Sequence, residues 1–422
     1  MGRRRALYIC YLSLEDPLVH TQVIAYLRGL ASDGHDIHLL TFETSRLTAE
    51  RRGGLRRALA AEGIRWHGLR YHKSPSLPAT IYDTLAGAVV STALILRHRL
   101  DLLHARSHVP AAMALIVRAL LWFRQPALIF DIRGLMAEEY EDAGRWRRDS
   151  IPFRLTKRVE RAAIRRADGI VVLTERVRRE LFGETLDRRV FVIPCCADLE
   201  SLAGANGDRL RVRRELNLDQ ALVMAYVGKF GGWYMAHEMA RFFRVARSEF
   251  GNLHFLILTQ GERTDIENEL RRESVDGAFT ITSADPDQMP RYLAAADFGI
   301  SFIRPAPSKA SSSPTKVGEY LGAGLPVLST AGVGDLDSLI SRDVGSLVSE
   351  HSEPAYRRAA AAMARLATEP NTRERCRELA RRELSLAAVG IPRYRALYAS
   401  IAEREQTEAS GSSARQSAAE DE

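Results

Sequence analysis

The stretch "SSSPTKVGEYLGAGLPVLST", residues 311–330, decides how the chain is read. Ser313-Pro314 reads as a helix start, with Ser as N-cap and Pro at the first helical position, where its missing N–H costs nothing. The free N–H groups and positive dipole end of such a helix suit a diphosphate, and Lys316 in the first turn adds a mobile point charge. Thr315 and Glu319 lie four residues apart and share one face; Val317 and Leu321 share another that packs inward. A carboxylate beside a diphosphate cannot help by charge. It can accept hydrogen bonds from vicinal hydroxyls, and a ribose supplies such a pair. Gly322 and Gly324 end the helix before a buried strand. An ordinary capped helix with a solvated Glu and Lys accounts for these residues equally well, so on residues alone both readings stay open.

Outward from this stretch, apolar runs alternate with amphipathic segments from end to end. Strands are expected at 5–12, 36–42, 64–69, 101–105, 127–132, 168–173 and 190–193, and again at 221–227, 253–258, 278–282, 297–302, 325–329 and 345–348. Between the first two, 21–33 puts Val23, Tyr26, Leu27 and Leu30 on one helical face. Strand–helix alternation with uninterrupted apolar strands means parallel sheets covered on both faces. At 422 residues the chain is too long for one ordinary core. The Gly/Ala/Asn/Asp stretch 197–208 reads as the linker between two doubly wound α/β units. The expected division is 1–200, an acceptor-side domain; 201–385, a donor domain; 386–404, a helix returning toward the first domain; and 405–422, a polar disordered tail. Ligands of such sheets bind beyond the strands' carboxyl ends, which places the chemistry in a cleft that the two domains face.

The net charge of +7 is local. Residues 145–166, "RWRRDSIPFRLTKRVERAAIRR", hold nine Arg and Lys against Asp149 and Glu160, so the remainder is neutral. With Trp146, Ile151, Phe153 and Leu155 interleaved, this segment fits an interfacial helix on anionic lipid as well as it fits a solvated face. Nucleic acid is not expected as a partner, because no recognition motif accompanies the charge. Cys10, Cys195, Cys196 and Cys376 form no metal-ligand spacing, which argues against zinc and for a reducing, cytoplasmic compartment. The N-terminus reads as a strand rather than a signal peptide. The longest apolar stretch, 109–123, contains Arg118 and is too short to cross a bilayer, so no membrane span is expected.

The segment "SPTKVGEYLGAGLPVLST" resembles the donor-binding signature of family 4 glycosyltransferases. "LRGLASDGHDIHLLT", "ADGIVVLTERVRREL", "VFVIPCCAD" and "AYVGKF" resemble further pieces of the same family, so the likeness covers about 5–400. It implies a GT-B fold, two Rossmann-like domains, and a retaining enzyme that uses a nucleotide-sugar and neither metal nor other cofactor. It also implies that Glu319 holds the donor ribose and that Lys316 lies near the diphosphate. The chain departs from the pattern in three places. Ser311 stands where a second Glu is usual; Lys229 and Tyr234 stand where Arg and Lys are usual; and "EDPLVHTQ" replaces a glycine pair.

The glycine-rich loop "GKFGGWY", 228–234, follows a strand and precedes a helix, which makes Gly228, Lys229 and Gly231 candidates at a phosphate. Trp233 and Tyr234 are candidates to stack on a base, with packing between loop and helix as the plain alternative. Arg133, in "DIRGLMAEEYEDAG", is a candidate for acceptor or leaving-group phosphate. The resemblance places a sugar-contacting His at the position of Arg106, between His104 and His108, so Arg106 and His108 join Arg133 as catalytic candidates. The expected function is sugar transfer to a glycan or lipid-linked acceptor at the inner membrane face. A nucleotide-sugar 2-epimerase and a non-catalytic nucleotide-sugar-binding protein are the alternatives.

Overall fold

The computed structural model describes residues 3–45, 47–261, 263–275, 277–285 and 287–420; for Asn206 and 408–420 only the backbone is described. The chain forms two compact units. One comprises Met1–Leu173, Arg178–Ile193 and Gly390–Glu422, the other Thr174–Val177 and Pro194–Val389.

The first unit is built on β1 (Arg5–Cys10), β2 (Asp36–Glu43), β3 (Ile64–Arg70), β4 (Leu102–Arg106), β5 (Ala127–Asp131), β6 (Gly169–Val172) and β7 (Val190–Val192). The second uses β8 (Leu222–Val227), β9 (Leu253–Leu258), β10 (Phe279–Thr282), β11 (Phe298–Ser301), β12 (Val327–Thr330) and β13 (Gly345–Val348). Every expected strand is present. All pair in parallel, in the orders β3-β2-β1-β4-β5-β6-β7 and β10-β9-β8-β11-β12-β13. Both are doubly wound, and each reverses direction beside its first strand, between β1 and β4 and between β8 and β11. Those switch points are where each sheet offers a crevice.

Three local expectations are corrected. The stretch read as a linker, 197–208, is helical: Asp198 caps a helix Leu199–Gly204 by accepting from the Glu200 and Ser201 N–H groups, and a 3-10 turn Ala205–Asp208 follows. The segment 21–33 does bury Val23, Tyr26, Leu27 and Leu30, but begins as a wider turn of π geometry, His20–Ile24, before Ala25–Ser32. The third concerns the longest apolar segment: helix Ser76–His98, rather than 109–123, is long and apolar enough to cross a membrane by length and composition alone, although its inner face buries Asp83, Gly87, Ser91 and Ile95.

The last helix, Ile391–Glu420, packs back onto the first unit. Tyr394 donates to Asp131, Arg393 to the Val192 carbonyl, and Arg395 grips Asp33 at 2.5 and 2.8 Å. Its backbone continues through most of 405–422; the side chains from 408 on lie outside the described residues, and with them the reading of that stretch as disordered. All four cysteines are buried and free.

The first unit also holds a histidine cluster. His38 Nδ1 lies 3.0 Å from His67 Nε2, and the His98 ring lies 4.5 Å from that of His38. Burial pulls His38 and His67 down to about 4, with Arg65 and the neighbouring histidines adding to it and Asp36 opposing it at His38. Both rings are therefore neutral in the folded chain at pH 5–6, while the unfolded chain protonates them near 6.5. Stability contributed above pH 6.5 is lost as the pH falls toward 4. Thermal midpoints measured from pH 7 to 4.5 should fall, and the fall should be shallower in the double variant His38→Gln, His67→Gln. An equal slope in the two proteins would remove the cluster from the pH response.

Candidate functional site

In the second unit the switch point lies between β8 and β11, and three segments converge beyond it: the loop 228–235, the stretch 302–313 and the helix Thr315–Gly322. A buried tyrosine fixes this helix. Tyr320 is fully buried; its hydroxyl accepts the Val227 N–H at 2.9 Å and donates to the Ile300 carbonyl at 3.2 Å, joining β8 to β11. Its ring lies so close over β11 that a Cβ on Gly299 would sit 2.3 Å from it. The helix ends as expected. Gly324 (φ +78°) donates to the Leu321 carbonyl and Leu325 to that of Tyr320, a Schellman closure.

Its start differs from the expectation. Ser313 is not the N-cap, because its Oγ accepts the Cys195 N–H at 3.0 Å. Pro314 holds the cap position and no side chain caps the first turn. The Val317 N–H turns back to the Pro314 carbonyl at 3.0 Å, while no side chain caps the Thr315 and Lys316 amides, which face the open start of the helix.

Lys316 sits in the first turn and is only 6% exposed. Among the described residues its Nζ has no hydrogen-bond partner. It rests 3.7 Å from the Tyr234 ring centroid and 4.1 Å from that of Tyr226. Gly228, at φ +130°, closes a third side: a Cβ there would stand 3.1 Å from Nζ. Burial pulls Lys316 down to about 7, with Glu319 opposing; burial pushes Glu319 up to about 7, with Lys316 opposing. Aromatic faces offset part of the lost hydration, about 1–2 kcal/mol each where desolvated, but they supply no counter-charge. Thr315 and Glu319 follow on the same face, both partly exposed.

The loop carrying Tyr234 is held on both sides. Gly231 and Gly232 are left-handed (φ +86° and +64°), Tyr234 forms a bridge to Ile303, and the Tyr226 hydroxyl donates to the Lys229 carbonyl. Lys229 itself is exposed. Trp233, the base-stacking candidate, carries two cations: Lys309 Nζ lies 4.0 Å and the Arg304 guanidinium 4.8 Å from its ring centre. Gly334 (φ +53°) donates to the Lys309 carbonyl and approaches Ser312 so closely that any Cβ would meet its carbonyl oxygen at 1.9 Å. Five of the 60 basic residues are lysines, and three of them, Lys229, Lys309 and Lys316, belong to these segments. A compact ammonium suits a phosphate as a point charge.

The catalytic candidates lie in the first unit. Arg133 bonds the Gln22 amide oxygen and stands 3.6 Å from Asp131. Asp131 is fully buried at the end of β5, receiving Tyr394 at 2.9 Å with His104 at 3.6 Å. Burial alone would raise its pKa; the Arg133 guanidinium, then His104, outweigh it and hold the carboxyl at about 2. His104 Nδ1 meets the Tyr398 hydroxyl at 3.1 Å. His108 is buried and its Nε2 pairs with Glu160 at 2.9 Å, beside Lys157, so it joins two helices. Arg106 is partly exposed at the end of β4, with a buried Nε that has no hydrogen-bond partner among the described residues. Ser107, which follows it, holds φ 74°, ψ −177°, a region nearly reserved for glycine.

Sequence reading missed Tyr226, Tyr320 and the Asp131–His104–Tyr394–Tyr398 network. Tyr320 follows Glu319 directly and could have been taken as its inward neighbour; nothing local links Asp131 to a tyrosine 263 positions later.

The model "Glycosyltransferase Family 4" matches residues 19–201, and "Glycosyl transferases group 1" matches 222–368. A 2-deoxystreptamine glucosyltransferase of Streptomyces kanamyceticus is 28% identical over 216 residues, 49% of this chain. The match spans 54% of that relative, about half its length. The solved structure of Anabaena HepE in complex with UDP and glucose aligns over 94% of this chain and 100% of its own, at TM-score 0.67 and 13% identity. Sucrose-phosphate synthase of Thermosynechococcus elongatus aligns over 94% and 100%, at TM-score 0.68 and 15% identity. At these identities the two structures speak for the fold.

The Tyr320 hydroxyl is expected to set the helix's position. Tyr320→Phe strands the Val227 N–H and the Ile300 carbonyl, so urea unfolding should show about 1–3 kcal/mol less stability. A loss under 0.5 kcal/mol would show that packing alone places the helix.

Proposed function

The chain belongs to the family 4 glycosyltransferases, and on that premise we propose that it moves a sugar from a nucleotide-sugar to a hydroxyl of a glycan or lipid-linked acceptor, with retention of configuration. The observation that carries the donor assignment is Lys316, a buried ammonium without a hydrogen-bond partner at the uncapped start of a helix that also carries Glu319. A nucleoside diphosphate supplies what this place lacks. Its phosphates accept from the first-turn amides and from Lys316; its ribose hydroxyls donate to Glu319. As the glycosidic bond breaks, negative charge grows on the distal phosphate, and fixed donors aimed there lower the barrier. Lys229, exposed on the neighbouring loop, adds a second cation to the same group.

Tyr234 stands where the family pattern has a Lys, and its ring faces Lys316. In this reading the missing cation is replaced by an aromatic wall that keeps the remaining one in place. Ser311, in the position of the usual Glu, is buried and donates to the Ser308 carbonyl, which supports a donor-sugar pocket without a carboxylate there. Arg106, with its unpartnered Nε, is the catalytic candidate best supported for contact with a substrate; Arg133 and His108 support the scaffold. The place of action proposed is the cytoplasmic side of a membrane, with the basic segment 145–166 toward anionic lipid.

Nucleoside diphosphate release, measured across UDP-, GDP-, ADP- and dTDP-sugars with and without acceptor, tests this reading. One donor class should release its nucleotide faster when acceptor is present; release from none, together with tight nucleotide binding, would favour a non-catalytic binding protein. Glu319→Ala should keep the fold and raise the donor KM, because two hydrogen bonds to a carboxylate are lost, about 1.5–3 kcal/mol each. Unchanged donor affinity would remove Glu319 from the ribose site. The resemblance implies no metal, so activity is expected to survive EDTA; loss restored by magnesium would overturn that.

A further inference from the structure

Three helices of the first unit lie side by side in chain order. Helix Ser76–His98 packs on His108–Leu120, where Met113 crowds Gly87; His108–Leu120 packs on Ile151–Arg166 through His108–Glu160 and through Arg118, which donates to the Arg166 carbonyl. Their outer surfaces differ from an ordinary solvated layer. On the first helix Ile81, Tyr82, Leu85, Val89 and Leu96 are 45–64% exposed and form one stripe about 22 Å long. At the end of the second helix Leu120, and just past it Trp122 and Phe123, are 53%, 76% and 64% exposed. The third presents Arg154, Arg158, Arg161 and Arg165 at helical spacing, with Ile151 and Leu155 exposed beside them. The three helices contain only two carboxylates, Asp83 and Glu160, and both are buried.

We propose that this three-helix layer docks on an anionic lipid bilayer, with the outer stripe of Ser76–His98 and Trp122–Phe123 in the interface and the arginines of Ile151–Arg166 on the headgroups. Scattered exposed apolar residues need no explanation, but a continuous stripe does. Charge identifies the occupant. A layer exposing cations and no carboxylate complements an anionic surface, whereas a second copy would bring one basic layer against another. Crossing the bilayer does not fit. Asp83 accepts from Tyr11 at 2.7 Å and pairs with His72 at 2.6 Å, and the inner face of the helix is core. The helix therefore lies on the surface. This gives a face to the membrane association proposed above and rests on no assignment in the nucleotide site.

Flotation of the full chain with vesicles tests it, using phosphatidylglycerol–phosphatidylcholine mixtures against phosphatidylcholine alone. Binding should require the anionic lipid, fall with salt, and drop at least tenfold in Leu85→Gln, Val89→Gln, Trp122→Ala, while the thermal shift by nucleoside diphosphate stays unchanged. Arg158→Ser, Arg161→Ser should weaken binding further. Absence from anionic vesicles at low salt overturns the proposal. So does a dimer, seen by light scattering, that the apolar substitutions dissociate. Binding that falls with the arginines but ignores the apolar substitutions also overturns it, while leaving a purely electrostatic membrane contact through 145–166 standing.

Discussion

At the switch point of the second unit sits an ammonium group whose burial outweighs the attraction of Glu319. Lys316 Nζ is buried among two tyrosine rings and a glycine, and among the described residues no hydrogen-bond acceptor reaches it. An isolated buried cation is costly enough to shed its proton, and burial brings Lys316 to about 7. Such a position persists only where the surrounding packing fixes it. Here Tyr320 pins the helix to β8 and β11, Gly228 leaves room, and the bridge from Tyr234 to Ile303 holds the aromatic wall. The strain is local and is relieved by any ligand that brings negative charge to the uncapped helix start.

The two units place their polar groups by the same topological rule and use them differently. At the first unit's switch point the charges are already satisfied by one another, with Asp131 receiving Tyr394 beside Arg133 and His104. That arrangement ties the last helix to the first sheet and leaves Arg106 as the group with capacity to spare. At the second unit's switch point the cation is unsatisfied. Binding capacity sits where pairing is incomplete, which is a more useful guide than the density of charged residues.

Much of this was legible in the sequence, for definite reasons. Strands of a parallel sheet buried on both faces are continuous apolar runs, so all thirteen could be placed. Lys316 and Glu319 stood out because the stretch around them resembles a donor-binding signature; on residues alone a solvated pair on a capped helix fitted equally well. The helix start was misread by one residue because the Ser313 hydroxyl serves Cys195, 118 positions away. His108, a catalytic candidate on sequence, pairs with Glu160. The length of Ser76–His98 as an apolar helix was hidden by Asp83 and by Ser and Thr residues that interrupt the run. These failures share a cause: each depends on a partner that no local pattern announces.

The central claim is that Lys316 is the cation awaiting a diphosphate, and proton uptake tests it most directly. At pH 8 Lys316 is largely neutral and Glu319 already ionised, so a bound diphosphate should draw a proton onto Lys316 alone. Calorimetric titration of nucleoside diphosphate at pH 8 in buffers of different ionisation enthalpy measures that uptake. The account predicts uptake approaching one proton in the wild-type chain and none in Lys316→Met, with weaker binding in the variant. Equal affinity and equal proton uptake in the two proteins would contradict it.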